Sequence, residues 1–281
     1  MTGRLVATNG TEVWVELDGD ASGAAIVLLG GADASVLRWP PALVSALVDA
    51  GRYVVRVEHR DSGLSAKIDP DAPYRLEDMA LDVVGALTAL GVDAADVLGY
   101  SMGGAVAQVL ALEHPQTVRS VVLVATTPGA GDERLPPPED WFVERMADRI
   151  FAPPPRTTEA RIEWTVELYR LLAGDRYPFD EATQAALAAA EIERCWYPES
   201  GHGVAVNASP SRYDRLGEIS VPTLVVHGSR DPVYPLDHAF TLGAKIPGAE
   251  TIVWHGLGHE IPPAFADQLA TLVLGFVDRS A

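Results

Sequence analysis

Cysteine is almost absent from this 281-residue chain, which contains only Cys195. A single cysteine cannot form an intramolecular disulfide, and it cannot supply the several thiolates of a metal cluster. The sequence therefore favours a reducing compartment, and we predict a cytoplasmic location.

Positive charge is also scarce. Lysine and arginine together number 21 against 39 aspartates and glutamates, which gives a formal net charge of −18 at pH 7. So large a negative field repels phosphate backbones and anionic lipid head groups. We therefore expect neither nucleic acid nor a membrane surface as a partner.

Long hydrophobic runs are lacking as well. The longest stretch without a charge, residues 97–112, contains three glycines, a serine and a glutamine. A membrane span needs about 20 mostly apolar residues, so this stretch instead predicts a buried strand that leads into a buried helix. The first 20 residues carry five charged side chains and no apolar core, so we expect no secretory signal.

The apolar residues that are present, 48% of the chain, suffice to build the core of one large domain. Several short runs are continuously apolar, which is typical of strands covered on both faces, and these lie at residues 25–29, 53–57, 96–98 and 121–125. Residues 12–17 alternate polar and apolar, as a half-exposed edge strand does.

Helical patterns separate these strands. From Leu76 to Leu90 the apolar residues fall on one helical face, and Gly91 is placed to end the helix. Strands that alternate with helices imply right-handed crossovers and a parallel sheet. The predicted fold class is therefore α/β, with a mostly parallel central sheet flanked by helices.

The pattern changes in the middle of the chain. Residues 129–217 contain proline clusters and helical stretches but no convincing buried strand, and the strand pattern resumes at residues 222–228 and 250–254. We predict a core formed by residues 1–128 and 218–281, with residues 129–217 inserted as a helical lid.

This segment holds ten of the chain's 20 aromatic residues. A small helical layer needs aromatics for its own core, yet ligands of open sheets bind where such a lid faces the sheet. Both interpretations can hold for different residues. As substrate-binding candidates we select Trp141, Trp164 and Trp196.

A Gly-Tyr-Ser-Met-Gly-Gly motif at residues 99–104 follows directly on a predicted strand and opens a helical run. A serine on such a sharp turn has a strained backbone, and glycines beside it remove side chains that would collide. The turn presents the hydroxyl of Ser101 above the sheet, next to the positive end of a helix. We predict that Ser101 is a nucleophile.

A serine nucleophile needs a base and an orienting carboxylate, which in this arrangement follow in the order Asp, then His. Asp231 and His259 each come just after a predicted strand, at the same edge of the sheet as Ser101. His255 is the rival base, but His259 follows a glycine-containing loop that can turn inward and is preferred. For His202, in the lid, we weigh contact with substrate against a surface position and expect the surface position.

The oxyanion needs two N–H donors. Met102 supplies one, because it follows the nucleophile. The second is expected from the loop after the strand at residues 25–29, where either Gly31 or Ala32 is the donor. This loop lacks the glycine spacing and the lysine of a phosphate loop, and it lacks a dinucleotide fingerprint. We find no metal-ligand spacing and expect neither a metal nor a cofactor.

Together these motifs resemble the α/β-hydrolase fold family over essentially the whole chain. Within it, Gly30-Gly31, Trp39-Pro40 and His59-Arg60-Asp61-Ser62-Gly63-Leu64-Ser65 are similar to the aclacinomycin methylesterase group, which cleaves a methyl ester on an anthracycline polyketide. The similarity is good in residues 25–125 and 219–262 and poor in the lid.

The sequence therefore predicts a serine hydrolase that cleaves a methyl ester or a lactone of a bulky apolar, polyketide-like small molecule. Two alternatives remain. Cofactor-free haloperoxidases of this fold share the Gly-x-Ser-Met-Gly-Gly motif and would make a peracid in the same site. A small-molecule-binding protein on this scaffold is also possible, although it would not need Ser, Asp and His together. The oligomeric state is left open.

Overall fold

The computed structural model describes residues 2–280 and contains one eight-stranded sheet. The strands are β1 (Thr2–Thr8), β2 (Thr11–Asp18), β3 (Ala24–Leu29), β4 (Arg52–Val57), β5 (Ala95–Tyr100), β6 (Val118–Val124), β7 (Thr223–Gly228) and β8 (Glu250–Trp254). Their order across the sheet is β1-β2-β4-β3-β5-β6-β7-β8. The strands from β4 to β8 in this order are parallel, while β1 pairs antiparallel with β2, and β2 with β4. The predicted mostly parallel sheet is confirmed.

Helices lie on both faces of this sheet and at its carboxyl edge. They are α1 (Pro41–Asp49), α2 (Leu76–Leu90), α3 (Met102–Glu113), α4 (Asp140–Phe151), α5 (Thr158–Leu172), α6 (Glu181–Arg194), α7 (His202–Ala208), α8 (Asp237–Lys245) and α9 (Ala266–Ser280). α2, α3 and α8 pack on one face, and α1 and α9 pack on the other.

The continuous apolar runs follow from this double cover. Successive side chains of a strand point to opposite faces, so Val27 and Leu29 enter the core beneath α2 and α3, while Ile26 and Leu28 face α1 and α9. All four are 1% exposed or less. Full burial of such side chains contributes about 1.5 to 3 kcal/mol each.

The predicted strand at residues 12–17 is present as β2, but it is not at the edge of the sheet. β1, which the sequence analysis does not predict, pairs along its outer side. The two strands are joined by Asn9 and Gly10, both with positive φ (39° and 74°), as a tight hairpin turn requires. The edge assignment was wrong because an alternating pattern shows only which face of a strand is buried. It does not show whether another strand pairs along its outer side.

Four helices, α4 to α7, lie between β6 and β7, which are neighbours in the sheet. α6 is held against the core by ion pairs. Arg38 contacts Glu191 at 2.6 Å between Nε and Oε2, and Arg194 donates from Nε to the fully buried Glu58 at 2.8 Å. The inserted helices therefore cover the carboxyl edge of the sheet from a defined position.

Candidate active site

Ser101 lies at the junction of β5 and α3 with φ 53° and ψ −118°, a conformation that L-residues rarely adopt. The turn is too tight for side chains at two of its glycines. A Cβ on Gly99 would lie 2.4 Å from the carbonyl oxygen of Gly103, and a Cβ on Gly103 would lie 2.1 Å from that of Leu29. The strand-to-helix turn expected from the motif is therefore present, and it leaves Ser101 partly exposed.

Three side chains form a hydrogen-bonded chain at this edge. Ser101 Oγ lies 2.9 Å from Nε2 of His259, and Nδ1 of His259 lies 2.8 Å from Oδ2 of Asp231. His259 and Asp231 are 4% and 5% exposed. A hydroxyl, an imidazole and a carboxylate in this order can transfer the hydroxyl proton and stabilise the imidazolium that results.

Asp231 is held in its ionised form. Burial alone would raise its pKa, but the charge of His259 and hydrogen bonds from His227 and His259 outweigh burial and hold the pKa well below its usual range. Its other oxygen, Oδ1, accepts hydrogen bonds from the backbone N–H groups of Val233 and Tyr234, both at 2.8 Å. The carboxylate is therefore fixed in orientation as well as in charge.

The loop that carries His259 is anchored on two sides. The backbone N–H of His259 donates a 2.8 Å hydrogen bond to the carbonyl of Leu172 at the end of α5. The carbonyl of His259 accepts a hydrogen bond from the hydroxyl of Tyr100, also at 2.8 Å. The inserted helices thus contact the imidazole-bearing loop directly. His255 is exposed and lies beside Ser229, with 3.3 Å between its Nδ1 and the serine Oγ, so the structure brings His259 and not His255 to Ser101.

The first N–H groups of α3 have no partner within the helix, and that of Met102 is the nearest in sequence to Ser101. The glycine loop after β3 lies alongside: a Cβ on Gly31 would lie 3.4 Å from Cβ of Ser101. Ala32 follows at an exposed position. The start of α3 and the glycine loop therefore lie next to the serine, where the sequence predicts the two donors of an oxyanion site.

His202 of α7 holds the far end of the glycine loop. Its Nδ1 accepts a hydrogen bond from the backbone N–H of Asp33 at 2.8 Å, and its Nε2 donates to the carbonyl of Arg60 at 2.7 Å. The side chain is completely buried, so the expectation of a surface histidine was wrong. Its partners lie 169 and 142 residues away in the chain, and no local pattern reveals them.

A cavity of about 310 Å³ opens beside Gly31 and Tyr100, between the sheet and the inserted helices. Its lining is mostly apolar and aromatic. The residues are Gly30, Gly31, Ala34, Leu37, Arg38, Trp39, Pro40, Pro41, Tyr100, Tyr169, Thr183, Gln184, Leu187, Glu260, Ile261 and Pro263. Its size and composition suit an organic ligand.

The three tryptophans selected from the sequence do not line this cavity. Trp141 is 48% exposed on α4. Trp164 is half-buried beneath the guanidinium of Arg149, which lies 4.2 Å from its ring centre, and Trp196 is half-buried with Arg161 5.1 Å away. The aromatic side chains at the cavity are instead Trp39, Tyr100 and Tyr169, and only the last belongs to the insertion.

Two ionisable residues of the cavity, Arg38 and Glu260, were not selected from the sequence. Glu260 follows His259 directly and is 7% exposed, and burial raises its pKa to about 7. Its position next to the candidate base was the available signal. Within residues 2–280 no group of three His, Cys, Asp or Glu side chains is arranged to hold a metal, and no helix has the length and apolar character to cross a membrane.

Comparison with known proteins assigns the family. The model of the alpha/beta hydrolase fold matches residues 24–263. Rhodomycin D methylesterases from Streptomyces peucetius and from Streptomyces sp. (strain C5) are each 31% identical, with 97% of this chain and 97% of the relative covered.

Solved structures of hydrolases have the same fold as this chain. A hydrolase from Pseudomonas aeruginosa PA01 superposes with a TM-score of 0.78 at 26% identity, covering 98% of both chains. An enol-lactonase from Burkholderia xenovorans LB400 shares the fold, with a TM-score of 0.79 at 23% identity over 98% of this chain and 100% of the other. The chain belongs to the alpha/beta hydrolase fold family, and it is a carboxylic ester hydrolase similar to the rhodomycin D methylesterases over nearly its whole length.

Proposed function

We propose that this protein hydrolyses its ester by a serine mechanism with an acyl-enzyme intermediate. The observation that carries the proposal is the continuous chain of hydrogen bonds from Ser101 through His259 to Asp231, at 2.9 and 2.8 Å. Distances in this range allow proton transfer without rearrangement of the side chains.

In the first half-reaction, Ser101 Oγ attacks the ester carbonyl carbon while Nε2 of His259 takes the hydroxyl proton. The tetrahedral intermediate then collapses, the bond from carbon to the alkoxy oxygen breaks, and His259 gives the proton to the leaving alcohol. Asp231 stabilises the imidazolium in between. Its depressed pKa keeps it ionised throughout this exchange.

In the second half-reaction, a water molecule replaces the alcohol. His259 takes a proton from the water, the resulting hydroxide adds to the acyl carbon, and the bond to Ser101 Oγ breaks as His259 returns the proton to the serine. In both half-reactions the negative charge on the carbonyl oxygen is stabilised by the N–H of Met102 and by an N–H of Gly31 or Ala32.

The substrate class follows from the cavity rather than from the catalytic residues. A largely apolar cavity of about 310 Å³ beside the nucleophile favours a bulky apolar acid or alcohol part over a short, water-soluble one. The similar methylesterases are named for rhodomycin D. We propose a methyl ester or a lactone of a polyketide-like small molecule, with the segment 129–217 as the lid that shapes its site.

The mechanism is tested by active-site labelling. A fluorophosphonate probe should label the wild-type protein at Ser101, as read by peptide mass spectrometry, and Ser101→Ala should not be labelled. Ser101→Ala should also lose at least about 10⁴-fold in kcat on an activated ester. Normal labelling at another residue, or full turnover by Ser101→Ala, would exclude the mechanism.

The substrate class has its own test. Values of kcat/KM on methyl esters of polycyclic acids and on macrolactones should exceed those on acetate esters. A clear preference for acetate esters would overturn the assignment of a bulky substrate while leaving the serine mechanism intact.

A further inference from the structure

The cavity that opens beside Gly31 and Tyr100 is lined by one basic side chain, Arg38, and one acidic side chain, Glu260, and the charge of Arg38 is already compensated. Arg38 donates from Nε to Glu191 at 2.6 Å and from Nη1 to Gln184 at 2.9 Å. Its guanidinium also stacks on Tyr169, 3.6 Å from the ring centre. The positive charge of Arg38 is therefore compensated by the protein itself, and a ligand is not needed to neutralise it.

Glu260 is different. It is 7% exposed, and within residues 2–280 its only hydrogen bond is one from the backbone N–H of Gly174 at 3.4 Å, the long end of the range. No charged partner lowers its pKa, and burial raises the pKa to about 7. A buried carboxylate without a cation is costly, and a ligand that supplied a cation would offset this cost.

The surroundings of Glu260 favour a positive ligand too. Trp39 and Tyr100 line the same cavity, and aromatic rings attract cations, as Tyr169 already does with Arg38. Asp231 is ionised because His259 and His227 outweigh burial and lower its pKa. Burial raises the pKa of the Tyr100 hydroxyl, and the negative charges of Asp231 and Glu260 raise it further. Because Arg38 and Glu191 cancel, the unmatched charge of the site is negative.

We propose that Glu260 is a specificity-determining residue that selects esters carrying a protonated amine, whose ammonium group binds against this carboxylate while the ester lies at Ser101. The proposal rests on the ester-hydrolase function given above and adds the charge of the substrate to it. Glu260 follows His259 directly, so their Cα atoms lie about 3.8 Å apart, and Glu260 shares the cavity lining with Gly31 and with Tyr100, which precedes Ser101.

A matched pair of esters tests this. In p-nitrophenyl 6-aminohexanoate an ammonium group stands where p-nitrophenyl heptanoate has a methyl group. At pH 8 the wild-type protein should favour the amine in kcat/KM by at least about tenfold, which corresponds to one favourable charge interaction of about 1.4 kcal/mol. In Glu260→Gln, which keeps the acceptor for Gly174, the ratio of the two values should fall to about one.

The control is Glu163→Gln, which removes the same charge from an exposed position on α5. It should keep the wild-type ratio. An equal loss of preference in this variant would show that the net charge of the protein, and not Glu260, selects the amine. A preference that persists in Glu260→Gln would overturn the proposal.

A pH series on the wild-type protein needs no variant. Protonation of Glu260 below about pH 7 removes the negative charge, so the preference for the amine should decline from pH 8 to pH 6. Of the other ionisable groups that line the cavity with Glu260, Arg38 stays charged, and Tyr100 and Tyr169 stay neutral because burial raises their pKa values. A ratio that does not change with pH would contradict the proposal.

Equilibrium binding separates this proposal from the proposed mechanism. By calorimetry at pH 8, Ser101→Ala should bind n-hexylammonium at least about tenfold more tightly than 1-hexanol, and the difference should vanish when Glu260→Gln is added. If neither ester is hydrolysed but this difference is found, the hydrolase mechanism fails and the amine site stands. Equal affinities for the two probes would overturn the amine site alone.

Discussion

The backbone N–H of Asp33 donates a 2.8 Å hydrogen bond to Nδ1 of His202, which lies 169 residues further along the chain. Through this bond, a helix of the insertion determines the position of the glycine loop beside Ser101. The loop contributes a backbone donor to the proposed oxyanion site, so its position affects catalysis as well as stability.

Replacement of His202 should therefore reduce both the stability of the protein and its catalytic activity. His202→Ala leaves the Asp33 N–H and the Arg60 carbonyl without their partner in a buried site, which should lower the free energy of unfolding by about 2 to 4 kcal/mol. The kcat on an activated ester should fall at a temperature where the variant is still folded. Urea unfolding and steady-state kinetics measure the two effects. His255→Ala, at an exposed position, should change the stability by less than about 0.5 kcal/mol.

The turn at Ser101 should not accept a side chain at Gly103. A Cβ there would lie 2.1 Å from the carbonyl oxygen of Leu29, so Gly103→Ala should lose about 3 kcal/mol or more, or fail to fold. Gly203→Ala is the matched control, since a Cβ at this helical position meets no atom within 4 Å among the described residues. It should be neutral or more stable by up to about 1 kcal/mol. Similar melting temperatures for the two variants would contradict the prediction.

Asp231→Asn tests the role of the carboxylate that orients His259, because the variant keeps both Ser101 and His259. The amide preserves the shape of the carboxylate but cannot stabilise the imidazolium, and it favours the wrong tautomer of His259. We expect kcat to fall by about 10³ to 10⁴-fold, with a folded protein by circular dichroism. Residual activity above about a tenth of the wild-type value would show that Asp231 does not have this role.

The buried carboxyl group of Glu260 should make stability depend on pH. Burial raises its pKa from the ordinary 4.5 to about 7, so the folded state holds the proton more tightly than the unfolded state. The resulting stabilisation is fully present below about pH 4.5 and is lost as pH rises through 7. Between pH 5 and pH 8 the free energy of unfolding of the wild type should therefore decline relative to Glu260→Gln, by up to about 3 kcal/mol. Parallel pH curves for the two proteins would contradict this.

The parts of the fold that were predictable from sequence are those with a local cause. The buried strands appear as continuous apolar runs because both faces of the sheet are covered, and Gly91 ends α2 because it adopts a left-handed conformation with φ 71°. The turn at Ser101 was predictable because its motif is local: a Cβ on Gly99 would collide with the carbonyl of Gly103, four residues on, although Gly103 itself packs against the distant Leu29. β1 was missed although Asn9-Gly10 is a strong hairpin signal.

The remaining features depend on contacts between distant parts of the chain. His202 was expected at the surface because its hydrogen-bond partners, the Asp33 N–H and the Arg60 carbonyl, are far away in the sequence. No local sequence pattern therefore indicates that it is buried. The cavity aromatics were expected in the insertion because that segment is rich in them, but Trp39 and Tyr100 of the core reach the cavity instead. Packing between the sheet and the inserted helices determines which side chains line the cavity. Amino-acid composition alone does not predict this.

The backbone of Ser101 has a consequence for directed evolution. A residue at φ 53° and ψ −118° is strained unless it is glycine, so glycine at position 101 would relax the turn while removing the hydroxyl. Selection of a library for thermal stability alone would therefore enrich a variant that lacks the proposed nucleophile. Directed evolution of this protein for thermostability therefore has to include a measurement of turnover in every round, because the substitution that stabilises this turn also removes the proposed nucleophile.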